Sequence, residues 1–183
     1  SISSATDDTL VIESGGVNVA SITSSGIDVT GSITASSAST INVTGGSALT
    51  LKSTDAGASA GPVLRLTRDS SSPADGDITG EIDFIAENDA SEAITYSQIS
   101  SRIDDASDGT EDGRLFFYTM VGGSSTERLR FNGTETAFNE GSADLDFRVE
   151  SNGDANMLKI DAGNDCALFG TSGQSGGEKV SMR

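Results

Sequence analysis

The sequence predicts an all-β fold, and three observations carry that prediction. Apolar and polar residues alternate with period two over runs of about five to eight residues, which is typical of strands with one covered face. The stretches between these runs are dense in Gly, Asp, Asn, Ser and Pro, the residues that favour turns. β-Branched residues also recur at strand spacing. We therefore expect antiparallel strands joined by turns.

Large apolar residues are scarce in this chain. Leu, Ile, Val and Phe together supply 39 of the 183 residues, and the formal net charge is −17. That combination lies close to the composition of disordered chains, whereas a globular monomer of this length buries roughly two-thirds of its unfolded surface. The regular strand spacing argues against disorder. The sequence therefore predicts an obligate oligomer, in which a thin apolar stripe is buried between chains or between stacked repeats.

The charge balance excludes several classes of function. The chain has 28 Asp and Glu, 11 Lys and Arg, and no His. Phosphate contacts need clustered Lys and Arg, so we expect no nucleic-acid partner. Binding to an anionic membrane is disfavoured for the same reason, and no apolar run is long enough to insert into a bilayer. The excess of carboxylates is typical of an elongated β structure that must stay soluble and resist lateral association.

The central region, residues 61–142, carries the clearest strand patterns. We predict five antiparallel strands joined by acidic turns, and the polar stretch TETAFNEG (134–141) as a connector that follows them. The strand patterns with the clearest alternation are VLRLTR (63–68), EIDFIAEN (81–88), AITYSQISSRID (93–104) and RLFFYTMV (114–121). Alternation places Ile82 and Phe84 opposite Glu81 and Asp83, and it separates two sets of residues on the last of these strands. Leu115, Phe117 and Thr119 face one way, and Arg114, Phe116 and Tyr118 face the other.

Long stretches of this region resemble a known module. The run PADGDITGEIDFIAEND, followed by ISSRIDDASDGTEDGRLFFYTMVGG, is similar to a module common in fibre proteins of marine tailed bacteriophages, and the similarity covers residues 61–133. LDFRVESNGDANMLKIDAGND (145–165) resembles a second element that often follows this module. The resemblance implies a trimeric fibre or tail-associated structural protein. It implies nothing firm about which glycan or receptor is bound.

Residues 1–60 have the pattern of a degenerate β repeat. GVNVASIT (16–23), GIDVTGSIT (26–34) and TINVTGGSALT (40–50) each pair two apolar residues one position apart, followed by a small or glycine-containing turn. Short strands of this kind suit a β-helical or triple-stranded shaft, and a disordered Ser/Thr linker is the alternative. KSTDAGASAG (52–61) is the predicted hinge towards the central domain.

Residues 143–183 are predicted to resume a shaft-like stack of two or three strands. DLDFRVESNGD alternates and turns at Asn152-Gly153, a strong signal for a hairpin. NMLKIDAGND and CALFG supply the strands that follow, and the glycine-rich end, residues 170–183, is predicted to be loose.

Few residues suggest chemistry. Without His there is no Ser-His-Asp or Cys-His arrangement, and Cys166 is predicted to be a small core residue. Glu81 and Asp83 share a strand face with Cα atoms roughly 7 Å apart, a spacing that suits an inverting glycosidase. Carboxylate pairs are abundant by chance among 28 acidic residues, however, and sugar clefts usually stack aromatics whereas this chain has no Trp. We therefore expect no catalytic residues.

Two acidic turns are candidates for Ca²⁺ binding. ASDGTEDG (106–113), preceded by Asp104 and Asp105, lacks the ligand spacing of an EF-hand loop. DAGNDCALFG (161–170) resembles one turn of a Ca²⁺-binding nonapeptide repeat, but no tandem copy supplies the other half of a site. Plain Asx turns are the preferred interpretation, and we expect no bound metal or cofactor. The arginines of the central domain are predicted to pair with its carboxylates; they are Arg65, Arg68, Arg102, Arg114, Arg128 and Arg130.

Composition and resemblance together predict a non-enzymatic fibre segment in the virion of a tailed phage, extracellular after release. The expected architecture is an elongated homotrimer with a shaft (1–60), a central antiparallel β domain (61–142) and a second short shaft-like segment (143–183). Its expected partners are two further copies of itself, other virion proteins and a host surface glycan or protein. One alternative is a bacterial surface adhesin or extracellular filament subunit, which neighbouring genes for capsid and tail proteins would argue against. The other is a polysaccharide-depolymerising tail spike, which release of reducing ends from host polysaccharide would favour.

Overall fold

The computed structural model describes residues 2–5, 9–14, 16–23, 26–29, 32–58 and 61–169. These residues form twelve β-strands in three antiparallel sheets and contain no helix, which confirms the predicted all-β class. The chain divides into two compact units, Ser1–Val63 and Leu64–Arg183.

The first unit contains a four-stranded antiparallel meander. Its strands are β1 (Ile2–Ala5), β2 (Thr9–Ser14), β3 (Val17–Thr23) and β4 (Gly26–Val29), paired in chain order. The first two predicted repeats thus form β3 and β4. The third repeat does not: residues 40–50 contain no strand, and the whole stretch from 32 to 58 is exposed. An alternating pattern forms a strand only where a partner edge is available for its backbone groups, and no described part of the chain provides one to these residues.

The second unit is built on a five-stranded antiparallel meander. Its strands are β5 (Ile78–Glu87), β6 (Ala93–Asp105), β7 (Asp112–Val121), β8 (Ser124–Phe131) and β9 (Thr136–Phe138). The tightest connection is the two-residue turn between β7 and β8, where Gly122 and Gly123 have φ angles of 56° and 81°. Two central residues with positive φ define a type I′ turn, whose twist matches that of a hairpin and which glycine adopts without strain.

One predicted strand of the central region is wrong. VLRLTR (63–68) forms no strand. Side chains rather than backbone pairing hold this segment at the start of β5. Arg68 donates to the carbonyl oxygen of Ile78 at 3.2 Å and pairs with Asp77 at 3.1 Å. Leu66 lies so close to Gly80 that a Cβ added at that glycine would be 2.9 Å from the Leu66 Cβ.

The fifth strand of the sheet comes instead from the predicted connector. Residues 134–141 contain β9, which pairs with the end of β8. The chain reverses there because the Asn132 side-chain oxygen accepts the backbone N–H groups of Thr134 at 3.0 Å and Glu135 at 2.8 Å. This Asx turn delivers three residues to the sheet edge, a strand too short to show a period of two.

The described residues after β9 contain a three-stranded antiparallel sheet, in agreement with the two or three strands predicted there. Its strands are β10 (Phe147–Val149), β11 (Leu158–Asp161) and β12 (Cys166–Phe169). The predicted reversal at Asn152-Gly153 lies in the β10–β11 connection, which is closed by a backbone hydrogen bond from Ser151 to Asp154 of 2.8 Å. The predicted loose end, residues 170–183, lies outside the described residues.

The register of the five-stranded sheet separates two faces. The apolar face is the set of residues that share one side: Ile82, Phe84, Ile99, Leu115, Phe117, Leu129, Phe131 and Phe138. The polar face is the opposite side: Glu81, Asp83, Gln98, Ser100, Arg102, Arg114, Phe116, Tyr118, Glu127 and Arg130. Among the described residues, the one large apolar side chain that is buried is Phe116, at 4% exposure, and it lies on the polar face.

Candidate functional site

The polar face is organised around Phe116. The guanidinium of Arg102 lies 5.1 Å from the centroid of its ring and that of Arg114 lies 6.0 Å away, both within cation–π range. The ring of Tyr118 stacks at 5.5 Å with an interplanar angle of 19°. Burial raises the pKa of the Tyr118 hydroxyl. Phe116 is therefore covered by its own neighbours on the sheet, which explains its burial on a charged surface.

Glu81 and Asp83, the candidate carboxylate pair, both lie on the polar face. Each accepts a hydrogen bond from the neighbouring strand. The Ser100 hydroxyl donates to Glu81 at 2.9 Å, and the Gln98 side-chain amide donates to Asp83 at 2.7 Å. Ser100 is fully buried, so its hydroxyl has no access to water. Both carboxylates therefore have a structural role, as acceptors of hydrogen bonds between neighbouring strands.

Three of the six arginines singled out from the sequence form ion pairs among the described residues. Arg68 pairs with Asp77 at 3.1 Å, and Arg114 pairs with Asp104 at 2.6 Å. Arg130 binds two carboxylates on either side of β9, Glu135 before it at 3.0 Å and Glu140 after it at 2.9 Å. Of the others, Arg102 lies over Phe116, and Arg128 donates to the Thr119 hydroxyl at 2.6 Å. Arg65 has no ion pair within the described part of the chain.

The acidic β6–β7 turn is held by Asx geometry. Asp105 accepts the backbone N–H of Ser107 at 2.8 Å and the hydroxyl of Thr110 at 3.1 Å. The hydrogen bond from the Ser107 backbone is the main reason that the pKa of Asp105 is lowered. Asp104 points to Arg114 instead. Asp104 and Asp105 therefore bind different partners and do not converge on one point. No group of three or more Cys, Asp or Glu in the described residues is placed to hold a metal ion.

A second polar cluster surrounds Lys159 on β11. Its ammonium group lies 2.9 Å from Asp146 and 2.8 Å from Asp161. Asp161, which is 8% exposed, also accepts the backbone and side-chain N–H groups of Asn164 at 3.0 Å each. The hydrogen bond with Asp161 raises the pKa of Lys159, and the same bond lowers the pKa of Asp161. A surface depression at the cluster is lined by Asn156 and by charged residues of both signs, Asp146, Arg148, Glu150 and Lys159.

This cluster was not predicted from the sequence, although Lys159 and Asp161 are two residues apart on one strand and so share a face. The pattern of residues 161–170 instead resembles one turn of a Ca²⁺-binding repeat. Asp161 is instead occupied by a cation from its own chain and by the amide groups of the following turn. Cys166 stands opposite Asp161 in the β11–β12 register; it is a free thiol and half-buried.

The apolar face is a continuous surface. One row crosses all five strands through directly paired positions: Ile82, Ile99, Phe117, Leu129 and Phe138. Phe84 remains 53% exposed and Phe138 54% exposed. The paired positions of this face carry no acidic residue, and its one cation, Arg128, lies at the β8 bulge, hydrogen-bonded to Thr119.

The apolar surface continues into the three-stranded sheet. The rings of Phe138 on β9 and Phe147 on β10 lie 4.7 Å apart between centroids. Phe147 pairs with Ile160, and Val149 with Leu158, which in turn pairs with Phe169. These residues share one face of that sheet, and Val149, Ile160 and Phe169 are exposed.

The described residues include no helix with the length and apolarity needed to cross a membrane. Comparison of the chain with protein-family models, with curated protein sequences and with solved structures finds no match.

Proposed function

We propose that this chain is a structural segment of a phage fibre that assembles as a homotrimer and supports attachment to the host cell. The observation that carries the proposal is the exposure of its apolar side chains. Of the large apolar side chains described, Phe116 alone is buried, whereas 23 remain exposed in the isolated chain. Those exposed residues occur in both units and in all three sheets.

Energetics support an assembled state. Ordering a chain costs roughly 1–2 kcal/mol per residue in backbone entropy alone, and burial of apolar surface is the main term that offsets it. A chain that buries so little of its own apolar surface needs partners to be stable. Three chains lying side by side supply the missing cover. The threefold symmetry and the place in a virion come from the resemblance of residues 61–133 and 145–165 to modules of marine phage fibres.

The N-terminal unit supports the same proposal. Residues 32–58 form no strand and are exposed, and they include Ile33, Ile41 and Leu49. In a triple-stranded or β-helical shaft, strands from neighbouring copies would pair with these residues and cover their side chains. Chains that exchange strands in this way separate slowly, so a fibre of this kind resists detergent.

The proposed role is mechanical. The fibre holds the central β domain away from the particle, joined to other virion proteins, and three identical surfaces meet the host cell together. Weak single contacts with a surface glycan or protein gain strength through this multivalency. The cross-strand hydrogen bonds of Glu81 and Asp83 support a non-enzymatic role for both carboxylates.

Two measurements test the proposal. The purified protein, run unheated in dodecyl sulfate, is expected to migrate as a trimer and to become a monomer after boiling. Gold-labelled antibodies raised against the protein are expected to decorate fibres in electron micrographs of virions. A monomer in the unheated sample would contradict the proposed trimer. Labelling of bacterial surface filaments instead of virions would contradict the place in a phage fibre and favour the adhesin.

A further inference from the structure

The two faces of the five-stranded sheet differ in how fully their side chains are covered or hydrogen-bonded within one chain. On the polar face, Phe116 is covered by Arg102 and Tyr118, and Glu81 accepts the buried Ser100 hydroxyl. The apolar face has no such cover along most of its length. Leu66 reaches it at Gly80, at the β5 end, but Leu66 is itself half exposed.

The uncovered area is large enough for a stable interface. Taking about 150–250 Å² for an aromatic side chain, the exposed fractions of Ile82, Phe84, Phe131 and Phe138 amount to roughly 350 Å² of apolar surface. The adjoining residues Val149, Ile160 and Phe169 raise this to roughly 600 Å² by the same reckoning. A standard interface buries about 800 Å² per partner, a little over half of it apolar.

Charge indicates what covers this surface. The chain carries 28 acidic and 11 basic residues, so two copies repel each other wherever carboxylates meet. The paired positions of the apolar face carry no carboxylate, whereas the polar face carries Glu81, Asp83 and Glu127. The apolar face is therefore the side of this sheet on which copies of the chain can approach each other without such repulsion.

The same one-sided pattern recurs in the other sheets. In the three-stranded sheet the exposed Val149, Ile160 and Phe169 share a face that meets the apolar face at the Phe138–Phe147 contact. In the N-terminal sheet, Ile22 pairs with Ile27 and both are exposed. A second copy carries a matching apolar face for every one of these sheets, which an unrelated partner would have to reproduce sheet by sheet.

We propose that the apolar face of the five-stranded sheet, together with its continuation at Val149, Ile160 and Phe169, is the surface along which copies of this chain pack, with the polar face turned to solvent. This assignment depends on the oligomer of the proposed function. It adds the surface through which the copies contact each other, because the oligomeric state by itself does not identify that surface.

Thiol labelling tests this assignment on the intact protein. In a Cys166→Ser background, Phe84→Cys and Asp83→Cys place single thiols on adjacent residues of β5 that point to opposite faces. Both positions are exposed in one chain. In the assembled protein we expect the thiol at position 84 to react at least roughly tenfold more slowly than that at position 83, because interface cores exclude water and reagent. The two rates are expected to converge in denaturant.

A second pair of cysteine variants controls for any change in structure caused by the loss of the Phe84 ring. Ile82→Cys and Glu81→Cys again place neighbouring thiols on the apolar and polar faces, and the same order of rates is expected. Equal rates in both pairs, or faster labelling on the apolar face, in a protein that sedimentation shows to be oligomeric would overturn this inference and leave the proposed fibre intact. A monomeric protein with fast labelling at all four positions would overturn both.

Discussion

The ring of Phe138 lies 4.7 Å from the ring of Phe147, tilted by 49°. Phe138 belongs to the last strand of the five-stranded sheet and Phe147 to the first strand of the three-stranded sheet. Eight residues separate the two strands, so this contact is the point at which the apolar surfaces of the two sheets become one.

A double-mutant cycle measures that junction. Phe138→Ala and Phe147→Ala are each expected to destabilise the protein, and their effects are expected to be non-additive by about 0.5–1.5 kcal/mol, the coupling typical of an aromatic pair. Urea unfolding followed by circular dichroism at a fixed protein concentration provides the free energies. Phe169→Ala is the control because Phe169 has no ring contact in the described structure. A cycle between Phe138 and Phe147 as additive as that between Phe138 and Phe169 would contradict the junction.

Gly80 is expected to be intolerant of a side chain. Gly80→Ala places a Cβ 2.9 Å from the Cβ of Leu66, and overpacking of this kind costs about 1–3 kcal/mol. Leu66→Ala keeps the offending Cβ, so relief requires Leu66→Gly, in which the cost of Gly80→Ala is expected to fall towards zero. Gly153→Ala is the control, since a Cβ there meets no atom within 4 Å. The close approach would be refuted by equal stability losses in Gly80→Ala and Gly153→Ala.

The Lys159–Asp161 pair predicts how stability depends on pH. The hydrogen bond from Lys159 lowers the pKa of Asp161 in the folded protein, so this carboxylate stabilises the fold above its ordinary pKa of about 3.9. The contribution is lost as the pH falls through the lowered folded pKa. Lys159, whose pKa is raised, contributes below its ordinary pKa of about 10.4 and loses that contribution as the pH rises through the raised value.

Asp161→Asn is therefore expected to flatten the acid limb of the stability profile. Urea midpoints measured from about pH 6 down to about pH 2 provide the comparison. Asp165→Asn removes an exposed carboxylate of the same turn that has no hydrogen-bond partner in the described part of the chain. This variant is expected to keep the wild-type profile. An acid limb that is unchanged in Asp161→Asn would show that the pair does not contribute in solution.

The carboxylates on the polar face are expected to be structural. Incubation of the protein with host polysaccharide is expected to release no reducing ends, and Glu81→Gln and Asp83→Asn are expected to leave that result unchanged. Both variants are expected to lower stability slightly, by about 0.5–1.5 kcal/mol or less, because each weakens one cross-strand hydrogen bond. Release of reducing ends that Glu81→Gln or Asp83→Asn abolishes would favour the depolymerase instead.

Local signals account for most of what the sequence predicted correctly. The alternation in residues 81–88, 93–104 and 114–121 reflects hairpins whose partners are adjacent in the chain, and Gly122-Gly123 specifies its turn by backbone geometry alone. The assignment of Ile82 and Phe84 to the face opposite Glu81 and Asp83 followed from the period of two and holds in the register.

The wrong or missing predictions concern segments whose structure depends on which strand or side chain they meet in the fold. VLRLTR (63–68) alternates as clearly as β5 does, but alternation does not show whether a sheet edge receives the segment. β9 is too short to show a period, and the turn at Asn132 that places it is specified by a single side chain. The Phe138–Phe147 contact joins residues of two different strands. In the Lys159 cluster, the Lys159–Asp161 pair lies on one strand, but Asp146 and Asn164 reach it from connections outside that strand. The geometry of both depends on how the strands pair, which composition does not report.

Sedimentation equilibrium at micromolar concentration tests the central claim most directly, because every assignment of an interface presumes that copies of the chain cover one another's apolar side chains. We predict a single species with three times the mass of the chain, stable to dilution over at least about a tenfold range. A folded protein, with the circular dichroism of a β structure, that sediments with the mass of one chain would contradict the account.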